Sequence, residues 1–98
     1  MSKNILIADS SELVRRGLKA ILKSFSSSFK LTEVVNSSDL LAQLKLVPNS
    51  ILIIDYTSSG FSLDDVVKIK SKFKNLLIVA ITPYINAHTI VQAVRAGI

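Results

Sequence analysis

The chain has no cysteine and no tryptophan, and only one histidine, two prolines and three glycines in 98 residues. Without cysteine there is no disulfide framework and no thiolate metal site. The single histidine, His88, has no histidine or cysteine partner with which to share a metal ion, so it reads as a solvent-facing helix residue. No P-loop or dinucleotide fingerprint is present, and Ser58–Ser59–Gly60 is too short to cradle a phosphate. No apolar run approaches the roughly 18 residues of a membrane span. The apolar run after Asn4 is too short for a signal peptide. A cytoplasmic protein is expected.

Acidic residues are also scarce. Seven stand against twelve Lys and Arg, for a formal net charge of +5. The cations are spread through Arg15, Arg16, Lys19, Lys23, Lys68, Lys70, Lys72 and Lys74 rather than gathered in a block. They read as solvated helix faces. The aromatics do not interleave with them, so a base-stacking platform has no support.

Apolar side chains are plentiful, at 49% against 19% charged, which argues against disorder. It is the balance expected of a sheet buried on both faces. At this length one domain, residues 1–98, is expected. Short apolar runs fall at 5–8, 31–35, 51–54 and 76–81, with helical periods between them. In the first helix Leu13, Gly17, Leu18, Ile21, Leu22 and Phe25 recur at three- and four-residue steps. Arg15, Arg16, Lys19 and Lys23 fall on the other side, and Ser10 or Ser11 supplies the N-cap. The second helix starts near Ser38, carries Leu40, Leu41 and Leu44, and ends before Pro48. The third starts near Ser62, has Asp64 and Asp65 in its first turn, and buries Val66, Ile69 and Phe73. A fourth is expected from about residue 86 to 95, with Gly97 as its stop.

Strands alternating with helices imply right-handed crossovers and a doubly wound parallel α/β sheet. Such sheets bind ligands beyond the carboxyl ends of their strands. Asp9, Asp55 and Thr82 stand directly after apolar strands. Two carboxylates and a hydroxyl there suit a hard cation such as Mg2+. A carboxylate in that setting can also attack a phosphoryl group and form an aspartyl phosphate. The other reading is that Asp9 and Asp55 only close their own loops as Asx-turns.

The chain resembles bacterial response-regulator receiver domains. "ILIADSSELVRRGLKAIL" is similar to receivers that precede a LuxR/NarL-type helix-turn-helix domain. "SILIIDYTSSGFS" sits where that family has its phosphoacceptor strand and loop, and "LLIVAITPYINAHTIVQAVRAGI" is similar to its fourth strand and following helix. The resemblance implies a flavodoxin-like receiver topology. It implies Asp55 as phosphoacceptor, and Asp9 and Asp55 with the backbone carbonyl of Thr57 as Mg2+ contacts. Thr82 would be the switch hydroxyl. Partners implied are a sensor histidine kinase, which faces the first helix with Arg15 and Arg16, a second copy of the chain, and DNA reached only through an appended domain. No membrane role and no enzymatic turnover are implied.

Several positions depart from the family pattern. Ser10 stands where the second metal acid is usual, and a neutral hydroxyl weakens Mg2+ binding. Pro83 follows Thr82 and lacks a backbone N–H. In the loop after Asp55 only Gly60 matches the usual residues. The family continues into a fifth strand, a phosphoryl-pairing lysine and a fifth helix, whereas this sequence holds four βα units and stops at Ile98. The resemblance thus implies a degenerate receiver, incomplete at its C-terminus, whose unpaired fourth strand promotes self-association. The alternatives are a phosphorylation-independent dimerisation or docking module, and a small phosphotransferase with Asp55 as nucleophile.

Overall fold

The computed structural model describes residues 3–81. Thr82, Pro83, Tyr84, His88 and the helix expected at 86–95 lie outside the described residues. The elements in chain order are β1 (Lys3–Ala8), α1 (Glu12–Phe25), β2 (Phe29–Val34), α2 (Ser37–Leu46), β3 (Ile51–Ile54), α3 (Leu63–Lys72) and β4 (Leu77–Ala80). Each helix begins on a side-chain cap that accepts an otherwise orphaned N–H. Ser11 accepts from Val14, Asn36 from Asp39, and Ser62 from Asp65. Of the two serines that could cap α1, Ser11 does so.

All strand pairs are parallel, in the order β2-β1-β3-β4. The chain steps from β1 outward to β2, then back across β1 to β3 and on to β4. Right-handed crossovers therefore place α1 on one face of the sheet and α2 and α3 on the other. The period-two alternation of the strands serves this arrangement. Leu6, Ala8, Leu52, Ile54 and Ile78 join Leu40 and Leu44 of α2 and Val66 and Ile69 of α3 in one buried core, with Phe73 packed against it. Ile5 and Ile7 are buried on the α1 face. Lys70 donates to the carbonyls of Lys74 and Leu76 and so holds the turn from α3 into β4.

The orientation of α1 corrects the sequence reading. Leu13 is 83% exposed and Phe25 77%, and Ile21 and Gly17 are exposed too. Of the periodic apolar residues only Leu18 and Leu22 are half-buried. Arg15, expected on the solvent side, is instead the buried residue of the helix. The reason is chemical. Arg15 Nε donates to Glu33 Oε1 at 3.0 Å, and Nη1 donates to the carbonyl of Asp9 at 2.7 Å. A guanidinium satisfied on both sides can be buried where an unpaired one cannot. These bonds set the rotation of the helix about its axis and turn one apolar flank outward.

Candidate functional site

Asp9 and Asp55 follow directly on the two central strands. Ala8 and Ile54 are register partners in β1 and β3. The strand ladder runs one step past them, with Asp55 N–H donating to the carbonyl of Ala8 at 3.0 Å and Asp9 N–H to that of Val34 at 3.2 Å. Both acids therefore leave the sheet at the same level, at its carboxyl edge. Ile81 N–H extends β4 similarly by donating to Ile54 at 2.9 Å.

Each carboxylate is held by its own loop. Asp9 is 5% exposed, and its Oδ1 accepts from Ser11 N–H at 2.8 Å. Asp55 is half-buried, and its Oδ1 accepts from Thr57 N–H at 2.9 Å and from Thr57 Oγ1 at 2.5 Å. Both are thus Asx-turns, as the structural reading of the sequence allowed. One oxygen of each is committed in this way.

Ser10 is exposed beside Asp9 and brings no charge. Among the described residues, no three His, Cys, Asp or Glu side chains are gathered as a metal cluster. The donor set that remains, two carboxylates and the Thr57 carbonyl, is still within what a largely hydrated Mg2+ uses. It fits that ion with one anionic ligand fewer than the resemblance leads one to expect.

Ser58 was not assigned a role by its sequence context. Its Oγ accepts from Ser10 N–H at 3.3 Å and donates to the carbonyl of Asp55 at 2.8 Å, joining the two acid-bearing loops. Gly60 has φ +87°, with Asn36 Cβ and the Val35 carbonyl within 3.3–3.4 Å of where a Cβ would stand. Its carbonyl accepts from both Ser37 N–H and Ser37 Oγ. This glycine thereby lets the loop after Asp55 close against α2.

Two grooves of about 360 Å³ lie away from the acids. One runs between α2 and α3, lined by Ser37, Leu41, Asp65 and Lys68 among others. The other lies beside α1, lined by Arg16, Lys19, Ala20, Lys23 and Glu33. No helix among the described residues is long and apolar enough to cross a membrane.

No protein-family model matches the sequence, and no curated protein matches it significantly. Solved structures do match its fold. The signal receiver domain of a DNA-binding response regulator from Colwellia psychrerythraea superposes with a TM-score of 0.90 at 20% identity, covering 98% of this chain and 80% of that one. A LuxR-family DNA-binding response regulator from Staphylococcus aureus matches with a TM-score of 0.83 at 17% identity, over 98% and 81%. A response regulator from Burkholderia pseudomallei, solved with a phosphorylated aspartic acid and a calcium ion, matches at 0.77 and 23%, over 98% and 56%. At such identities the likeness is one of fold. The chain has the flavodoxin-like fold of response-regulator receiver domains.

Proposed function

We propose that the chain is the receiver-like domain of a two-component response regulator, with Asp55 as phosphoacceptor and a metal pocket weakened by Ser10. The observation that carries this reading is the placement of Asp9 and Asp55 at one level on the two central strand ends of a receiver fold. In the reaction, a carboxylate oxygen of Asp55 attacks the phosphorus of an acyl or histidyl phosphate. The bond from phosphorus to the donor breaks, and the donor leaves with the electron pair. Thr57 holds the carboxylate through Oδ1, so Oδ2 is the oxygen free of that turn. Asp9, Asp55 and the Thr57 carbonyl would hold Mg2+, which when bound screens the repulsion between the carboxylate and the incoming anion.

Thr82 is assigned the switch hydroxyl through which phosphorylation shifts a pre-existing equilibrium. Partners in this reading are a sensor histidine kinase at α1, a second copy of the chain, and DNA through an appended domain. The setting is cytoplasmic, and the domain has no turnover of its own. A phosphorylation-independent docking role is the second reading. It is favoured by the neutral Ser10 and by the exposed apolar flank of α1.

The test is intact-mass analysis after incubation with acetyl phosphate and Mg2+. Slow, Mg2+-dependent labelling is expected, abolished in Asp55→Asn and accelerated in Ser10→Asp. Absence of label even in Ser10→Asp overturns the acceptor reading. Labelling of the natural chain as fast as Ser10→Asp overturns the weakened pocket.

A further inference from the structure

The carbonyl of Asp9 and the N–H of Ser10 belong to one planar peptide group and point to opposite sides of it. Both ends are gripped. Arg15 Nη1 donates to the carbonyl at 2.7 Å, while the N–H donates to Ser58 Oγ at 3.3 Å. Ser58 Oγ in turn donates to the carbonyl of Asp55 at 2.8 Å. On the far side, Arg15 Nε donates to Glu33 Oε1 at 3.0 Å, and Lys19 Nζ donates to Glu33 Oε2 at 3.3 Å.

A continuous chain of bonds therefore runs from Glu33 on β2 to the main chain of the proposed acceptor. From Arg15 onward the donors align head to tail. A cation on the carbonyl polarises the amide and strengthens its N–H as a donor. That donor in turn strengthens the Ser58 hydroxyl as a donor to Asp55. The remaining groups of Asp9 are also fixed, its N–H on Val34 and its Oδ1 on Ser11. Rotation of the Asp9–Ser10 peptide would break the Arg15 and Ser58 bonds together and release both acid-bearing loops.

We propose that Arg15 and Ser58 are positioning residues for the Asp9–Asp55 site: they clamp the two edges of the Asp9–Ser10 peptide and so fix the spacing of the two loops, with Glu33 aiming Arg15. Neither residue is the proposed acceptor or one of the proposed Mg2+ contacts, and each acts through the Asp9–Ser10 peptide. The consequence for phosphoryl transfer rests on Asp55 being the acceptor, whereas the clamp itself does not.

Site-resolved amide hydrogen exchange on the 98-residue chain tests it. Ser10 N–H is expected to exchange about tenfold faster in Ser58→Ala, and to regain protection in Ser58→Thr, which keeps the hydroxyl. Arg15→Met should also accelerate Ser10, although Arg15 never touches that N–H, and should do so by a larger factor than it accelerates the Leu52 amide in the core. Acceleration of Ser10 only in step with Leu52 would mean general destabilisation and would overturn the clamp. So would an unprotected Ser10 in the natural chain, or no response to Arg15→Met. Labelling of Asp55 by acetyl phosphate should fall in Ser58→Ala and Arg15→Met and stay unchanged in Leu13→Ala. If no form takes label, the acceptor reading fails while Ser10 exchange still decides the clamp.

Discussion

Arg15 and Glu33 are paired at 3.0 Å between α1 and β2, with the Arg15 side chain only 10% exposed. The hydrogen bond from Arg15 first, and Lys19 with it, holds the Glu33 carboxyl below its ordinary value of 4.5. The unfolded chain therefore binds the Glu33 proton more tightly than the folded one. The stabilisation is complete above the ordinary value and is lost as pH falls through the lower folded one. The difference in urea midpoint between the natural chain and Glu33→Gln should be constant near neutrality and should shrink as pH drops below about 4.5. A difference that grows on acidification contradicts the pairing.

The turn of α1 that buries Arg15 predicts a contrast between two leucines. Leu52 is fully buried in β3, whereas Leu13 is 83% exposed at the start of α1. Leu52→Ala should cost about 2–5 kcal/mol. Leu13→Ala should change stability by about 0.5 kcal/mol or less. Denaturant unfolding of the two variants decides it, and a large cost at Leu13 would mean that the helix packs by its apolar period after all.

The same helix shows what could be read in the sequence. The βα alternation, the parallel sheet and the strand-end acids were legible, because apolar period and strand length directly report burial on both faces. The α2 and α3 cores followed for the same reason, since each has one apolar stripe. The orientation of α1 was not legible, because it has apolar residues on two flanks and its rotation is set by ionic bonds to β2. One signal was available: Glu33 is the lone acid of β2 and stands next to the buried Val34, where a charge needs a partner. Ser58 was hidden for a different reason. Its two bonds reach Ser10, 48 residues away, and the carbonyl of Asp55. No local pattern encodes such a bridge.

Gly60 has φ +87°, a conformation that costs an L-residue about 1–2 kcal/mol, and its neighbours leave no slack for a methyl group. Gly60→Ala should lower stability by at least that amount. It should also loosen the Ser37 bonds that join the loop after Asp55 to α2. A thermal melt at or above that of the natural chain would show that the loop adopts another path.

Tyr56 follows Asp55 and is buried, and among the described residues its hydroxyl has no hydrogen-bond partner. A buried hydroxyl without a partner carries its desolvation cost uncompensated. Tyr56→Phe keeps the ring and removes that cost, so thermal stability should be unchanged or raised. A drop of about 1 kcal/mol or more would identify a hydrogen-bond partner for the hydroxyl.

β4 pairs with β3 on one side, and no described strand lies on its other side. Its run from Leu77 to Ile81 has no charge and no proline, the usual guards of a sheet edge. Leu77, Val79 and Ile81 are all exposed, on the sheet face that also carries α1 with its exposed Ile21 and Phe25. An uncharged edge is complementary to itself, because two identical strands related by a two-fold axis can exchange main-chain hydrogen bonds in an antiparallel pair. Cations that would oppose association stand on the helices, at Arg16, Lys23, Lys68 and Lys72 among others, whereas β4 itself has none. The 98-residue chain should therefore self-associate as its concentration rises. Placing lysines at Leu77 and Val79 should restore a monomer by putting like charges on both edges, with little loss of stability because neither side chain is buried. Multi-angle light scattering across a concentration series reads both. A monodisperse monomer at the highest concentration, with or without the lysines, would show that this edge is not self-pairing.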